Sequence, residues 1–187
     1  MVIKKIFFGG LGSIFLATAS LMLYAMTQMD MVHLMLCSTN QGGTQIPSSL
    51  CKYYLINYRI NEKGIKELSE GGGLDVVLNV ENNATEYELA KLFLANGLDI
   101  NGINHYGGIG PTPLQGAVAN NDVPRLKFLI AQGADLHNTG GMGMTALALA
   151  IKLHKETKLH NRSEIIRLLS EADHTDSFAI PGISGSP

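Results

Sequence analysis

Two cysteines and a scatter of histidines carry most of the reactive chemistry in this chain. Cys37 and Cys51 are its only thiols, and a polar, Gly-rich stretch separates them. In an exported protein such a pair is expected to be bridged, which would stabilise the fold by roughly 3 kcal/mol through loop-closure entropy. Two unrelated buried thiols are a second reading. A lipid on Cys37 is a third, although "LMLC" lacks the small residue that normally precedes a lipidated cysteine. His105, His137, His154, His160 and His174 are spread along the chain. His154 and His160 flank an expected loop, and their spacing is not one of the common zinc patterns. Ser13 and Ser20 lie in an apolar run with no G-x-S-x-G around them, and no phosphate-cradling loop with its Lys is present. The glycines of "NHYGGIG" sit where the chain has to turn. These residues therefore predict no catalytic centre, no metal site and no cofactor. "NAT" at Asn83 and "NRS" at Asn161 fit the glycosylation pattern, which matters only in a eukaryotic secretory chain.

Charge narrows the classes further. Fourteen Lys and Arg face sixteen Asp and Glu, a net charge of −2, and no basic stripe stands out. Nucleic-acid binding thus has no electrostatic footprint here.

The elements that would position these residues are short helices. Thr112 and Pro113 open one: Thr caps free N–H groups, and Pro at the first helical position gives up an N–H that has no partner anyway. Leu114, Ala117 and Val118 then fall at i, i+3, i+4 on one face. "NND" breaks the pattern, Leu126, Leu129 and Ile130 give a second face, and Gly133 stops it. The pattern recurs. Thr145 stands 33 residues after Thr112, with Leu147, Ala150 and Ile151 as its face and Ile165, Leu168 and Leu169 as the next. Upstream, Ala90, Phe93, Leu94 and Gly97 match Leu126, Leu129, Ile130 and Gly133, and Leu74, Val77 and Leu78 supply the partner face. Thr85 and Glu88 make a capping box for that second helix.

A 33-residue period, a "TPL" start and a "GAD" end resemble the ankyrin-repeat family. The resemblance covers roughly Leu74 to Ala172. It departs from the family pattern at Gln115, where "TPLH" would place His, and in the extra residues of "HKETKLHNRS". It implies an all-α solenoid of about three helix pairs. A degenerate half-repeat would precede them, with Tyr54, Leu55 and Tyr58 on one face, Ile65 and Leu68 on another, and Gly71 to Gly73 as its stop. It also implies binding through loop tips and the concave face. The tips carry Ile103, His105, Tyr106 and Ile109 on one loop and His137, Asn138 and Met142 on the next, as anchors for a protein partner.

The N-terminus differs in kind. After Lys4 and Lys5 no charge appears until Asp30. An anchor from Ile6 to about Met26 would have the length that a bilayer takes, about 20 residues. A signal peptide cut after Ala19 is the alternative. Either places the repeats outside the cytoplasm. The expected organisation is therefore residues 1–29 as signal or membrane segment, 30–52 as linker with the cysteine pair, 53–173 as repeat domain and 174–187 as flexible tail.

This architecture is similar to that of ankyrin-type immunity proteins that guard the bacterial periplasm against type VI secretion effectors, especially lipases and phospholipases. The similarity implies a toxin inhibitor anchored at the inner membrane, working by steric blocking. A periplasmic scaffold or accessory subunit of a resident envelope enzyme has the same features.

Overall fold

The computed structural model describes residues 16–81, 87–156 and 161–178. Every regular element among the described residues is helical. The chain divides between Gly64 and Ile65 into two compact units.

The first unit holds helical residues 16–28 (α1), α2 (Met31–Ser38) and α3 (Ser48–Tyr54), the last running on as a π-helix over Leu55–Arg59. Asp30 starts α2 by accepting the His33 backbone N–H at 2.8 Å. Met26, Met31, Leu34, Met35 and Leu55 are buried. A disulfide joins Cys37 to Cys51 with their Cα atoms 5.8 Å apart, so α2 is tied to α3. The stretch 30–52, expected as a linker, is thus largely two helices. Its apolar residues, from Met31 to Leu36, are packed and not extended between domains. With Cys37 in the bridge, its sulfur is not free to carry a lipid.

The bridge closes a loop with a sequence separation of 14. Replacing both cysteines with serine is expected to lower the stability of the first unit by about 3 kcal/mol. Urea unfolding followed through tyrosine fluorescence reads this, because four tyrosines, Tyr24, Tyr53, Tyr54 and Tyr58, belong to this unit. An unchanged midpoint would mean that the bridge contributes nothing.

Helix α4 (Glu62–Glu70) crosses the division, and its Ile65 and Leu68 are buried. Tyr54, Leu55 and Tyr58 fall in the first unit, and Tyr58 is exposed. The expected half-repeat therefore does not exist as a helix pair in one unit. The second unit continues as α5 (Gly73–Val80), α6 (Glu88–Ala95), α7 (Pro113–Ala119), α8 (Val123–Ala131), α9 (Ala146–Glu156) and α10 (Ser163–Phe178).

Leu74, Val77, Leu78, Ala90, Phe93, Leu114, Ala117, Val118, Leu126, Leu129, Ile165 and Leu169 are buried, as their spacing requires. Their short helices bury apolar faces by stacking unit on unit. Leu94, Ile130 and Leu168 are half-buried at the margins. On α9 the buried set is Ala146, Leu149 and Ala150, while Leu147 is half-buried and Ile151 is 37% exposed. Of the expected face, Ala150 is buried; the face is turned toward Ala146 and Leu149, and among the described residues the side that carries Ile151 meets solvent. The outer face of α10 is polar: Glu164 and Glu171 hold Arg167 between them, raising its pKa, and the Arg167 hydrogen bond lowers that of Glu164.

Helix ends follow local chemistry. Thr112 accepts the Gln115 N–H at 3.2 Å and Gln115 returns the bond, a full capping box with Pro113 behind it. Asp122 accepts the Arg125 N–H at 3.0 Å. Gly97 and Gly133 end α6 and α8 with φ of +92° and +81°, which a side chain would resist. Helix α6 differs from expectation. It begins at Glu88, and Glu81 caps it by accepting the Leu89 and Ala90 N–H groups at 2.8 and 2.9 Å. Thr85 lies outside the described residues. Tyr87, just before α6, packs against Phe128 with ring centroids 4.6 Å apart and planes tilted by 33°, and burial pushes its phenol above the ordinary range.

Among the described residues no helix is long and apolar enough to cross a membrane. The part of the expected span that precedes Leu16 lies outside the described residues, as do Asn83, His160 and residues 179–187. The tail expected from His174 onward is helical through Phe178.

Candidate partner-binding surface

Successive helix pairs are joined by long loops, residues 96–112 and 132–145, whereas α4 reaches α5 through Gly71 and Gly72 alone. Both long loops are built on Asn and Asp side chains that bond to backbone two residues ahead, a turn that these short polar groups favour. Asp99 accepts from Asn101 N–H at 2.9 Å, Asn104 from Tyr106 at 2.9 Å, Asp135 from His137 at 2.8 Å and Asn138 from Gly140 at 2.8 Å. The loops are tied to each other: Asp135 N–H donates to the Asn101 side chain at 2.9 Å and Gly141 N–H to the Gly110 carbonyl at 2.8 Å. At Gly141 an added methyl would run into the Ile109 carbonyl, so only glycine allows this approach.

Gln115 locks the second loop. Its side chain is fully buried, its carbonyl accepts the Thr112 N–H at 2.8 Å, and its amide donates to the Thr139 and Met144 carbonyls at 2.9 and 2.7 Å. The residue that departs from the usual "TPLH" therefore ties the middle and the end of the loop to α7.

Two buried arginines complete the frame, and neither was visible in the pattern. Arg125, 1% exposed, donates to the Leu78 carbonyl at 3.1 Å and the Asn79 side chain at 2.9 Å, near the end of α5. It also stands 3.7 Å from Asp75 and 3.3 Å from Asp122. Asp75 in turn accepts from Asn104 at 2.8 Å, which links this cluster to the first loop. Arg162 donates to the Val118 and Ala119 carbonyls at 3.4 and 3.1 Å, at the end of α7. Each arginine supplies positive charge at the C-terminal end of the preceding pair's first helix, where the aligned carbonyls carry a partial negative charge. The signal for Arg125 was its place in the first turn of α8, where its own helix disfavours a cation; another helix end had to be its target.

The seven expected anchors divide into two groups. Tyr106 is 58% and Ile109 62% exposed, and His105 and His137 are exposed as well. Tyr106 lies along the glycine link: a methyl on Gly71 would stand 2.7 Å from its Oη. The His105 backbone N–H donates to the Gly71 carbonyl at 2.9 Å. His137 Nε2 sits 3.4 Å from an Asp173 carboxylate oxygen. Ile103, Asn138 and Met142 are half-buried and support the loops as much as they display them. Ile103 also lines a depression of about 380 Å³ together with His105, Leu98 and Ser69.

Other sequence candidates stay apart. His154 is exposed on α9, and no group of three or more metal-ligating side chains occurs among the described residues. Asn161 is exposed, and its side chain accepts the Ser163 N–H at 2.9 Å, so it serves as the opening turn of α10.

No curated protein matches the chain. A family model for ankyrin repeats, in three copies, matches residues 77–177, more than half of the 187 residues, and covers α6 to α10 with both loops. The chain belongs to the ankyrin-repeat family.

Proposed function

We propose that this protein is a periplasmic immunity protein that binds and neutralises an antibacterial effector of lipase or phospholipase type. Ankyrin repeats indicate a protein–protein interaction module and are typically non-catalytic. The observation that carries the reading further is the pair of cross-tied loops presenting Tyr106 and Ile109 to solvent. An aromatic and an aliphatic side chain on a braced loop are the groups that fill a partner's pocket. The mechanism is steric: the loops and adjoining helix face cover the effector's active-site entrance or its membrane-binding face. The Cys37–Cys51 bridge supports an oxidising compartment. The uncharged run after Lys4 and Lys5 supports attachment to the inner membrane, with a cleaved, soluble form as the alternative.

Capture of partners by the tagged full chain from its native bacterium, read by mass spectrometry, tests this. Recovery of a secreted lipase whose toxicity the protein suppresses on co-expression supports it. Recovery of a resident envelope enzyme and no toxin would replace it with the accessory-subunit reading. Once the partner is in hand, Tyr106→Ala and Ile109→Ser are each expected to weaken binding about 30-fold or more, since truncating an anchor costs about 2 kcal/mol or more. Calorimetry showing wild-type affinity for both would move the interface away from the first loop.

A further inference from the structure

The first unit carries an apolar groove of about 780 Å³ that the repeat array does not explain. One wall is α1, with Met22, Leu23 and Met26; the other is α3 and the π-helix, with Leu50, Tyr53 and Tyr58. No lining side chain is charged. The tyrosines form a cluster: Tyr53 meets Tyr58 edge-on at 6.3 Å, and Tyr54 stacks on Tyr58 at 5.4 Å. Their rings stay open to the outside, Tyr53 at 60% and Tyr58 at 57%.

The way α1 leaves the unit says what medium meets this groove. Met26 is buried, but residues 16–21 are exposed, and so are Leu23 and Tyr24. Leu16 follows ten residues, Ile6 to Phe15, without a charge, behind Lys4 and Lys5. Whatever medium receives the exposed start of α1 also meets the groove that α1 walls. Water is a poor host for so much contiguous apolar surface. A bilayer is a good one, and tyrosine is enriched at the level where hydrocarbon meets headgroups, with its ring in one and its hydroxyl in the other.

We propose that the tyrosine-lined groove is a lipid-contact surface, seating the first unit in the bilayer interface and taking a phospholipid acyl chain. The proposal rests on the membrane placement put forward above, and it adds a second attachment beside the N-terminal run.

The chain has no tryptophan, so Tyr53→Trp makes a single reporter within the groove. The full chain carrying it is mixed with phosphatidylcholine vesicles, a share of whose lipid bears bromine on the acyl chains. Tyr58→Trp is run in parallel, and Tyr106→Trp, in the second unit, is the control. Brominated vesicles are expected to at least halve the emission of Trp at 53 or 58 and to leave that at 106 unchanged. Co-sedimentation with vesicles but no quenching at 53 and 58 would overturn the groove proposal and leave the membrane attachment standing. Failure to co-sediment would overturn both. Blue-shifted emission without vesicles, rising with protein concentration alongside a dimer in sedimentation, would assign the groove to a second copy and also overturn it.

Discussion

Arg125→Ala is expected to destabilise the second unit by about 3–5 kcal/mol, the usual cost of removing one partner from a buried ion pair. Arg125 is 1% exposed and stands 3.7 Å from the carboxylate of Asp75, which is itself buried. Among the described residues, its removal leaves that carboxylate to the amides of Asn104 and Asn79, at 2.8 and 3.5 Å. It also removes the hydrogen bond that Arg125 donates to the Leu78 carbonyl near the end of α5. Lysine would restore the charge but not the fork that reaches Leu78 and Asn79 together, so Arg125→Lys should recover only part of the loss. Arg125→Met combined with Asp75→Asn removes both charges and should be more stable than Arg125→Ala. Urea unfolding followed by far-ultraviolet circular dichroism ranks the three. A change under about 0.5 kcal/mol for Arg125→Ala, the size seen at ordinary surface positions, would show that the cluster does not hold the helix pairs together.

The second large effect is expected at Gln115. Replacing it with Ala takes the Gln115 partner from the Thr112 N–H and the Met144 carbonyl, while the Thr139 carbonyl keeps the Gly143 N–H at 3.1 Å. Buried groups that lose a partner cost about 1–3 kcal/mol each, so a loss of about 2 kcal/mol or more follows. Gln115→Glu is the more telling variant. An ionised carboxylate can still accept from Thr112 but cannot donate to two carbonyls. Burial beside those carbonyls favours its neutral form in the folded state, which raises its folded pKa above the unfolded one. The variant should therefore be least stable at neutral pH and gain stability as pH falls through the folded pKa. A pH-independent difference from wild type would mean that the second loop does not depend on donation from position 115. The same variants should lose partner binding through the second loop before the helices unfold, which amide exchange at Thr139 to Met144 would detect.

The helix pairs were legible because their information is local. Leu114, Ala117 and Val118 define a face by spacing, Thr112 and Pro113 define its start, and Gly133 its end. The misreadings arose where distant groups decide. Glu81 caps α6 across residues that no short motif spans. Ile151 repeats the spacing of Val118, but among the described residues no helix pair stacks on that side of α9. Residues 30–52 read as a linker because the Gly-rich stretch between the cysteines dominates them. Helix α2 is apolar nearly all round, so it shows no amphipathic period, and its partner α3 is short. Among the candidate anchors, only packing separates Tyr106 and Ile109, which face solvent, from Ile103 and Met142, which are half-covered. Arg125 was missed because its one cue, a cation in the first turn of α8, does not name the helix end that it reaches.

The link between α4 and α5 has a consequence for recognition. Where later pairs spend a full loop, this one spends two glycines, and the Tyr106 ring rests on that bare backbone. A side chain already held on a floor has little rotational freedom left to surrender when a partner arrives. Ordering a free side chain costs about 0.5–1.5 kcal/mol per residue on association. For the anchor role proposed above for Tyr106, shortening one connection pre-organises the side chain carried by the next, and slower dissociation is the form in which that gain would appear.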